Sequence, residues 1–177
     1  MNNINHLKLI FITIFFIFLS SVSKSEVKIA FVDIDKIIKE SSLGKSMIQQ
    51  LGKLDNDNKK YFDETKKKLS EKKKKISSQK DILSKEEYNK NVVILNEEFE
   101  NFKKNGKKKI ELLKTRRNIG MKKILDELNI VLSEYSKKNE LTFIIDQNNI
   151  IMGKADLNIT NEIIKLLNLK LKKITLN

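Results

Sequence analysis

The sequence predicts an α+β chain in which a small sheet-containing body carries one long antiparallel helical hairpin, and three observations predict it. Residues 44–135 hold no proline, are rich in lysine and repeat their apolar residues at helical spacing. Two short apolar segments of β-strand character flank that stretch, at residues 28–33 and 141–146. An export signal precedes all three.

The signal is read from residues 1–25. Residues 1–8 are polar with one lysine, residues 9–19 (LIFITIFFIFL) are apolar, and Ser23 and Ser25 stand at the −3 and −1 positions of a cut before Glu26. An apolar core of this length spans only about 16 Å as a helix, which argues for cleavage rather than an uncleaved anchor. The mature chain is expected to begin at Glu26.

Cleavage removes His6, the only histidine, and the chain has no cysteine. Ser-His-Asp and Cys-His nucleophile systems, Cys/His zinc sites, disulfides and thiol redox all need side chains that the mature chain lacks. Gly44, Gly52, Gly106, Gly120 and Gly153 form no glycine-rich phosphate loop. The expectation is a protein without catalysis, metal or cofactor, whose activity is binding.

The body comes from the two ends of the mature chain, residues 26–44 and 139–177. Residues 28–33 (KIAFVD) read as a strand covered on both faces, with Ile29 and Phe31 on one of them. Residues 141–146 (LTFIID) and 150–152 read as a strand pair joined by Gln147, Asn148 and Asn149. Thr160 is expected to cap a last helix, with Ile159 and Ile164 as a hydrophobic staple and Ile163, Leu167, Leu171 and Ile174 as the stripe that meets the sheet.

The arm is read at residues 45–138. Residues seven apart, Ile48, Asp55, Phe62, Leu69, Ile76 and Leu83, are apolar at five of six places, whereas the interleaved Asn58, Thr65, Lys72 and Gln79 are polar. A two-chain coiled coil wants both seams apolar, so a thin, half-wet seam is expected. Ser84 and Glu87 match a capping box that starts a second helix, which places the hairpin tip near residues 77–84. Leu95, Phe99, Phe102, Ile110, Leu113, Ile124, Leu128 and Val131 then form a stripe, interrupted by Gly106 and Arg117. The second helix is the longer by about 28 Å, so its surplus is expected to pack into the body, against a short helix at residues 35–40, with a kink near Gly106 or Gly120 as the alternative.

Size and charge carry the functional reading. Roughly 55 residues remain outside the arm, near the lower limit for a self-sufficient core, so the body is expected to oligomerise. The arm holds 26 Lys and Arg against 15 Asp and Glu, whereas the rest of the mature chain has 8 of each. Acids four residues before a lysine, at Asp55 and Lys59, Glu64 and Lys68, Glu71 and Lys75, and Glu86 and Lys90, match part of that charge. Lys72, Lys73, Lys74 and Lys75, and Lys107, Lys108 and Lys109, read as unmatched clusters. Solvation explains most single lysines, but the summed field favours acidic partners or an anionic membrane surface. Nucleic acid is disfavoured by export and by the absence of a groove-reading motif.

Residues 28–38 (KIAFVDIDKII) with Gly44 and Lys45 after them, the lysine-rich helical insert, residues 141–146, and Asn158, Ile159 and Thr160 ahead of residues 163–168 (IIKLLN) resemble the Skp/OmpH family of periplasmic chaperones. The likeness covers the whole mature chain. It departs at Asn158, where family members commonly carry aspartate. The resemblance implies a homotrimer with a β-barrel-like body built from three chains, three helical arms around a cavity, and an ATP-independent holdase for unfolded outer-membrane proteins in the periplasm. On that reading Ile29, Phe31, Phe143 and Ile145 build the shared body. Phe62, Leu69, Ile76, Phe99 and Phe102 hold the hairpin seam and in part meet the client, and the two lysine clusters attract acidic clients and anionic lipid. The rival is an exported coiled-coil structural or envelope-assembly factor that binds a folded partner.

Overall fold

The computed structural model describes residues 27–176, so the export signal read at residues 1–25 lies outside the described residues. Strand β1 (Ile29–Val32) pairs in parallel with β2 (Phe143–Asp146), in the register Ile29 with Phe143, Ala30 with Ile144, Phe31 with Ile145 and Val32 with Asp146. A parallel pair needs a crossover connection. Here the crossover is the helical hairpin itself.

The expected strand pair after residue 141 is only half present. Beyond β2 the chain makes a 3-10 turn, Gln147–Asn149, in which the Asp146 carboxylate accepts a hydrogen bond from Asn148 N at 3.1 Å. This local side-chain bond redirects the backbone before a hairpin can close. Residues 150–152 form no strand, and Ile151 and Met152 stand in solvent. The opposite edge of β1 is met further on, where Ile159 N donates to Phe31 O at 3.0 Å and Asn158 makes a single parallel bridge to Phe31.

Helix α1 (Ile34–Glu40) starts on Asp33, whose carboxylate accepts from Lys36 N at 2.8 Å. Ser41 ends it and caps α2 (Ser42–Ser78), accepting from Gly44 N at 3.1 Å. Residues 79–84 turn the chain into α3 (Lys85–Asn139). At the start of α3 the Ser84 hydroxyl accepts from Glu87 N at 3.2 Å, and the Glu87 carboxylate accepts from that hydroxyl rather than from the cap amide. Glu140, with φ of 54°, closes α3 in the left-handed region. At about 1.5 Å per residue, α2 and α3 span roughly 55 and 82 Å.

The surplus of α3 enters the body. Ile124, Leu128 and Val131 join Ala30, Val32, Ile37, Leu43 and Met47 in one buried core with Ile163 and Leu167 of α4 (Thr160–Lys170). Fully burying each large aliphatic group stabilises by about 1.5–3 kcal/mol, so this core fixes the root of the hairpin. Thr160 does not act as the cap of α4. Its buried hydroxyl accepts from Asp33 N at 2.9 Å and donates to Asn158 Oδ1 at 2.6 Å, while Asn158 Oδ1 also accepts from Thr160 N. Thr160 therefore ties the last helix to the end of β1, and Asn158 takes over the amide. The helix stops at Lys170, which leaves Leu171 exposed. The tail then returns along the hairpin root, with Ile174 O accepting from Gln50 Nε2 at 2.6 Å and Leu176 buried.

Candidate client-binding surface of the helical hairpin

The hairpin seam is built in two sections. Near the tip, Leu69, Ile76 and Leu95 are buried together, with Tyr88, Val92, Phe99 and Phe102 half-buried around them. Midway, the rings of Tyr61, Phe62 and Phe102 cluster with centroids 5.7 to 6.3 Å apart, and Phe62 meets both of the others edge-on, as aromatic quadrupoles favour. Gly106 is buried opposite them, and a Cβ there would sit 3.1 Å from Phe62 Cε1. The stripe interruption at Gly106 is thus the space that the ring occupies.

Phe62, Leu69, Ile76, Phe99 and Phe102 are therefore brought together, and their apolar surface goes mainly into packing the hairpin. Leu69 and Ile76 are drier than a half-wet seam implies, whereas the three phenylalanines keep part of their surface exposed. Ile48 and Ile110, expected in the stripes, lie outside the seam, 50% and 63% exposed. For Ile48 the reason is geometric. A straight helix drifts about 20° per heptad, so four heptads back from Ile76 the position has swung off the contact line, and Met47 takes its place.

The charge pattern also differs from the expectation in part. Lys72 is matched: its Nζ lies 2.7 Å from Glu98 Oε1 across the hairpin. Lys73, Lys74 and Lys75 are exposed without an ion pair among the described residues, as are Lys107 and Lys108. Lys109 Nζ stands 4.5 Å above the Tyr61 ring, a cation–π contact. Of the four pairs expected along the helices, Asp55 and Lys59 meet at 2.8 Å, and the hydrogen bond that Lys59 donates to this carboxylate raises the Lys59 pKa. The other three do not close; Lys122 pairs with Asp126 and Lys103 with Glu100 instead.

On the body, the strand register aligns Ile29 with Phe143 and Phe31 with Ile145, on the sheet face opposite buried Ala30 and Val32. Phe143 is 58% and Ile29 39% exposed. Phe31 is already covered by its own chain, since the backbone at Gly153 lies against its ring. The outer face is thus apolar and only partly sheltered.

Sequence reasoning missed Glu98 as the partner of Lys72, although the hairpin turn and antiparallel counting could have found it. It also missed the structural use of Asp33 with Thr160, for which no local signal exists.

A strand, a long cationic hairpin, a second parallel strand and a closing helix form the order that the family model for outer membrane protein (OmpH-like) matches, over residues 28–167. The chain belongs to the OmpH-like family. Six chains of solved structures match it. One is the crystal structure of a candidate outer membrane chaperone (OmpH-like) from Caulobacter crescentus CB15, with a TM-score of 0.79 over 85% of this chain and 89% of that chain. At 12% identity the likeness is one of fold. No curated protein sequence matches the chain. The OmpH-like fold therefore persists with few shared residues.

Proposed function

We propose that this OmpH-like protein is an ATP-independent holdase of the periplasm, which binds unfolded outer-membrane proteins and keeps them from aggregating in transit. The observation that carries the reading is the hairpin of an OmpH-like chain: a long arm rooted in a packed body, with half-exposed phenylalanines along its seam and exposed lysines along its flanks. Many weak apolar and electrostatic contacts hold a non-native chain without imposing one conformation on it. Lys73, Lys74, Lys75, Lys107 and Lys108 attract acidic clients and anionic lipid; Lys72 and Lys109 act mainly within the hairpin.

Three copies assemble in this proposal, joined through the outer sheet face at Ile29, Phe143 and Ile145, so that the arms enclose a cavity. The exposed apolar face at Ile29 and Phe143 supports the contact, because an uncovered apolar patch marks a surface that a partner covers. The test dilutes a denatured outer-membrane β-barrel protein from urea with and without the mature chain and follows light scattering. Suppression at stoichiometric ratios without nucleotide is expected. Undiminished aggregation, together with a stable complex with one folded envelope protein, would replace the reading with the assembly-factor one.

A further inference from the structure

Ile48, half exposed at an apolar heptad position, and Arg117, which interrupts the second stripe, have no role in the seam. The structure puts both on one groove of about 530 Å³ at the hairpin root, between α1, α2 and α3. Met47, Ile48, Leu51, Leu113 and Met121 supply its apolar wall. Asp55 also lines it but is held by Lys59, and Asp35 and Lys39 offset each other one turn apart on α1. Arg117 is exposed and has no carboxylate within ion-pair range among the described residues. The groove therefore combines an apolar floor with a guanidinium that no carboxylate of the described residues engages.

We infer that this groove docks an extended segment of a non-native polypeptide in which apolar residues alternate with carboxylates. The inference rests on the holdase reading and gives it a specific anchor point. An extended chain presents alternate side chains to opposite sides, so apolar ones can enter the groove while a neighbouring carboxylate reaches its rim. Arginine offers a planar fork that a carboxylate matches with two hydrogen bonds. Methionine thioethers adapt to side chains of different shape, which suits an occupant of variable sequence. Charge selects the occupant: the arm holds 26 basic against 15 acidic residues, so an acidic segment is attracted and a second copy of this basic arm is repelled.

The experiment uses the full mature chain and short labelled peptides in which leucine alternates with glutamate, serine or lysine, with affinity read by fluorescence anisotropy. The wild-type chain is expected to bind the glutamate peptide about tenfold more tightly than the serine one, a difference of about 1.4 kcal/mol. Arg117→Gln removes that preference and retains weak apolar binding. Ile48→Glu weakens binding of the glutamate and serine peptides about tenfold. Both positions are exposed, so unchanged circular dichroism is expected for each variant. Wild-type affinity in both variants overturns the proposal, as does a lower assembly mass for Ile48→Glu, which would mean that a second copy covers the groove. If Ile48→Glu loses the peptide but the wild-type chain fails to slow aggregation, the groove stands and the holdase reading falls. If Ile48→Glu binds peptide and suppresses aggregation like the wild type, the groove assignment falls and the holdase reading stands.

Discussion

The carbonyl oxygen of Ile38 occupies the space that a Cβ on Gly44 would fill. Helix α1 ends and α2 begins within a few residues, and the two backbones pass so closely that only hydrogen fits between them. The neighbouring atom is backbone and cannot turn aside as a side chain can. Gly44→Ala is therefore expected to cost more than the ~1–3 kcal/mol of ordinary core overpacking, because the α1 to α2 corner itself must move. Urea unfolding of the mature chain measures it. A midpoint within error of the wild type would show that the corner is soft.

Midway along the arm, the contact between Gly106 and Phe62 makes the same argument against a side chain. Gly106→Leu pushes on the Phe62 ring, which is half-buried and can swing towards solvent at the expense of its contacts with Tyr61 and Phe102. The expected result is a loss of about 1–3 kcal/mol, concentrated in the arm. Hydrogen exchange should quicken around residues 58–66 and 100–110 while the protection of Ile124 and Leu128 in the root is unchanged. Uniform quickening over the whole chain would show that arm and root unfold as one unit.

These residues also mark how far the sequence was legible. The two arm helices, the cap at Ser84 and the surplus of α3 follow from proline-free periodicity, a capping pair and length counting, all of which are local or additive. Ile48 was misplaced because a seven-residue count ignores the drift of a 3.6-residue helix. Asn149 and its neighbours read as a hairpin turn, yet Asp146 captures the next amide and bends the chain elsewhere. Thr160 carried a correct signal for a helix start and a wrong one for its bond, because its hydroxyl is used by Asp33, 127 residues away. Long-range pairings of single polar groups leave no periodic trace. The candidate site shares this split: its phenylalanines were visible as stripes, whereas the groove at Arg117 exists only once three helices meet.

Acid should release one tie between β1 and the end of α3. Lys28 Nζ lies 2.7 Å from Glu140 Oε2, and the hydrogen bond, with charge attraction second, holds the Glu140 carboxyl below its ordinary value of 4.5. A depressed folded-state value means that the unfolded chain takes up the proton first. The pair's contribution is thus present above the ordinary carboxylate value and fades as pH falls through the lowered one. Both side chains are well exposed, so the contribution is small and screened by salt. Comparing urea midpoints of wild type and Glu140→Gln, the gap seen at neutral pH is expected to close below the lowered value. A gap that is the same at every pH would assign it to packing rather than charge.

If the outer sheet face joins copies, Phe143 is the residue to change. It is 58% exposed in the single chain and pairs in register with half-exposed Ile29, so Phe143→Glu places charge in the middle of the apolar face without disturbing Ala30 or Val32 beneath it. The mature wild-type chain is expected to run as a trimer by light scattering, and the variant as a monomer with native helix content. A monomeric wild-type chain at micromolar concentration would remove the cavity from the proposed function.

Salt separates the two forces that the proposed holdase would use to hold a client. Steering by the excess of lysines acts over a Debye length, about 8 Å at physiological ionic strength, whereas contact with Phe62, Phe99 and Phe102 is short-ranged and indifferent to it. When added salt shortens the Debye length to about 5 Å, association with a denatured β-barrel client should slow several-fold, while dissociation changes little. Replacing Lys73, Lys74 and Lys75 with glutamine should reproduce the slowing at low salt and reduce the further effect of salt. Stopped-flow fluorescence of a labelled client reads both rates. Association that is insensitive to salt and to these substitutions would leave capture to the apolar surface alone and make the lysines a solvating coat.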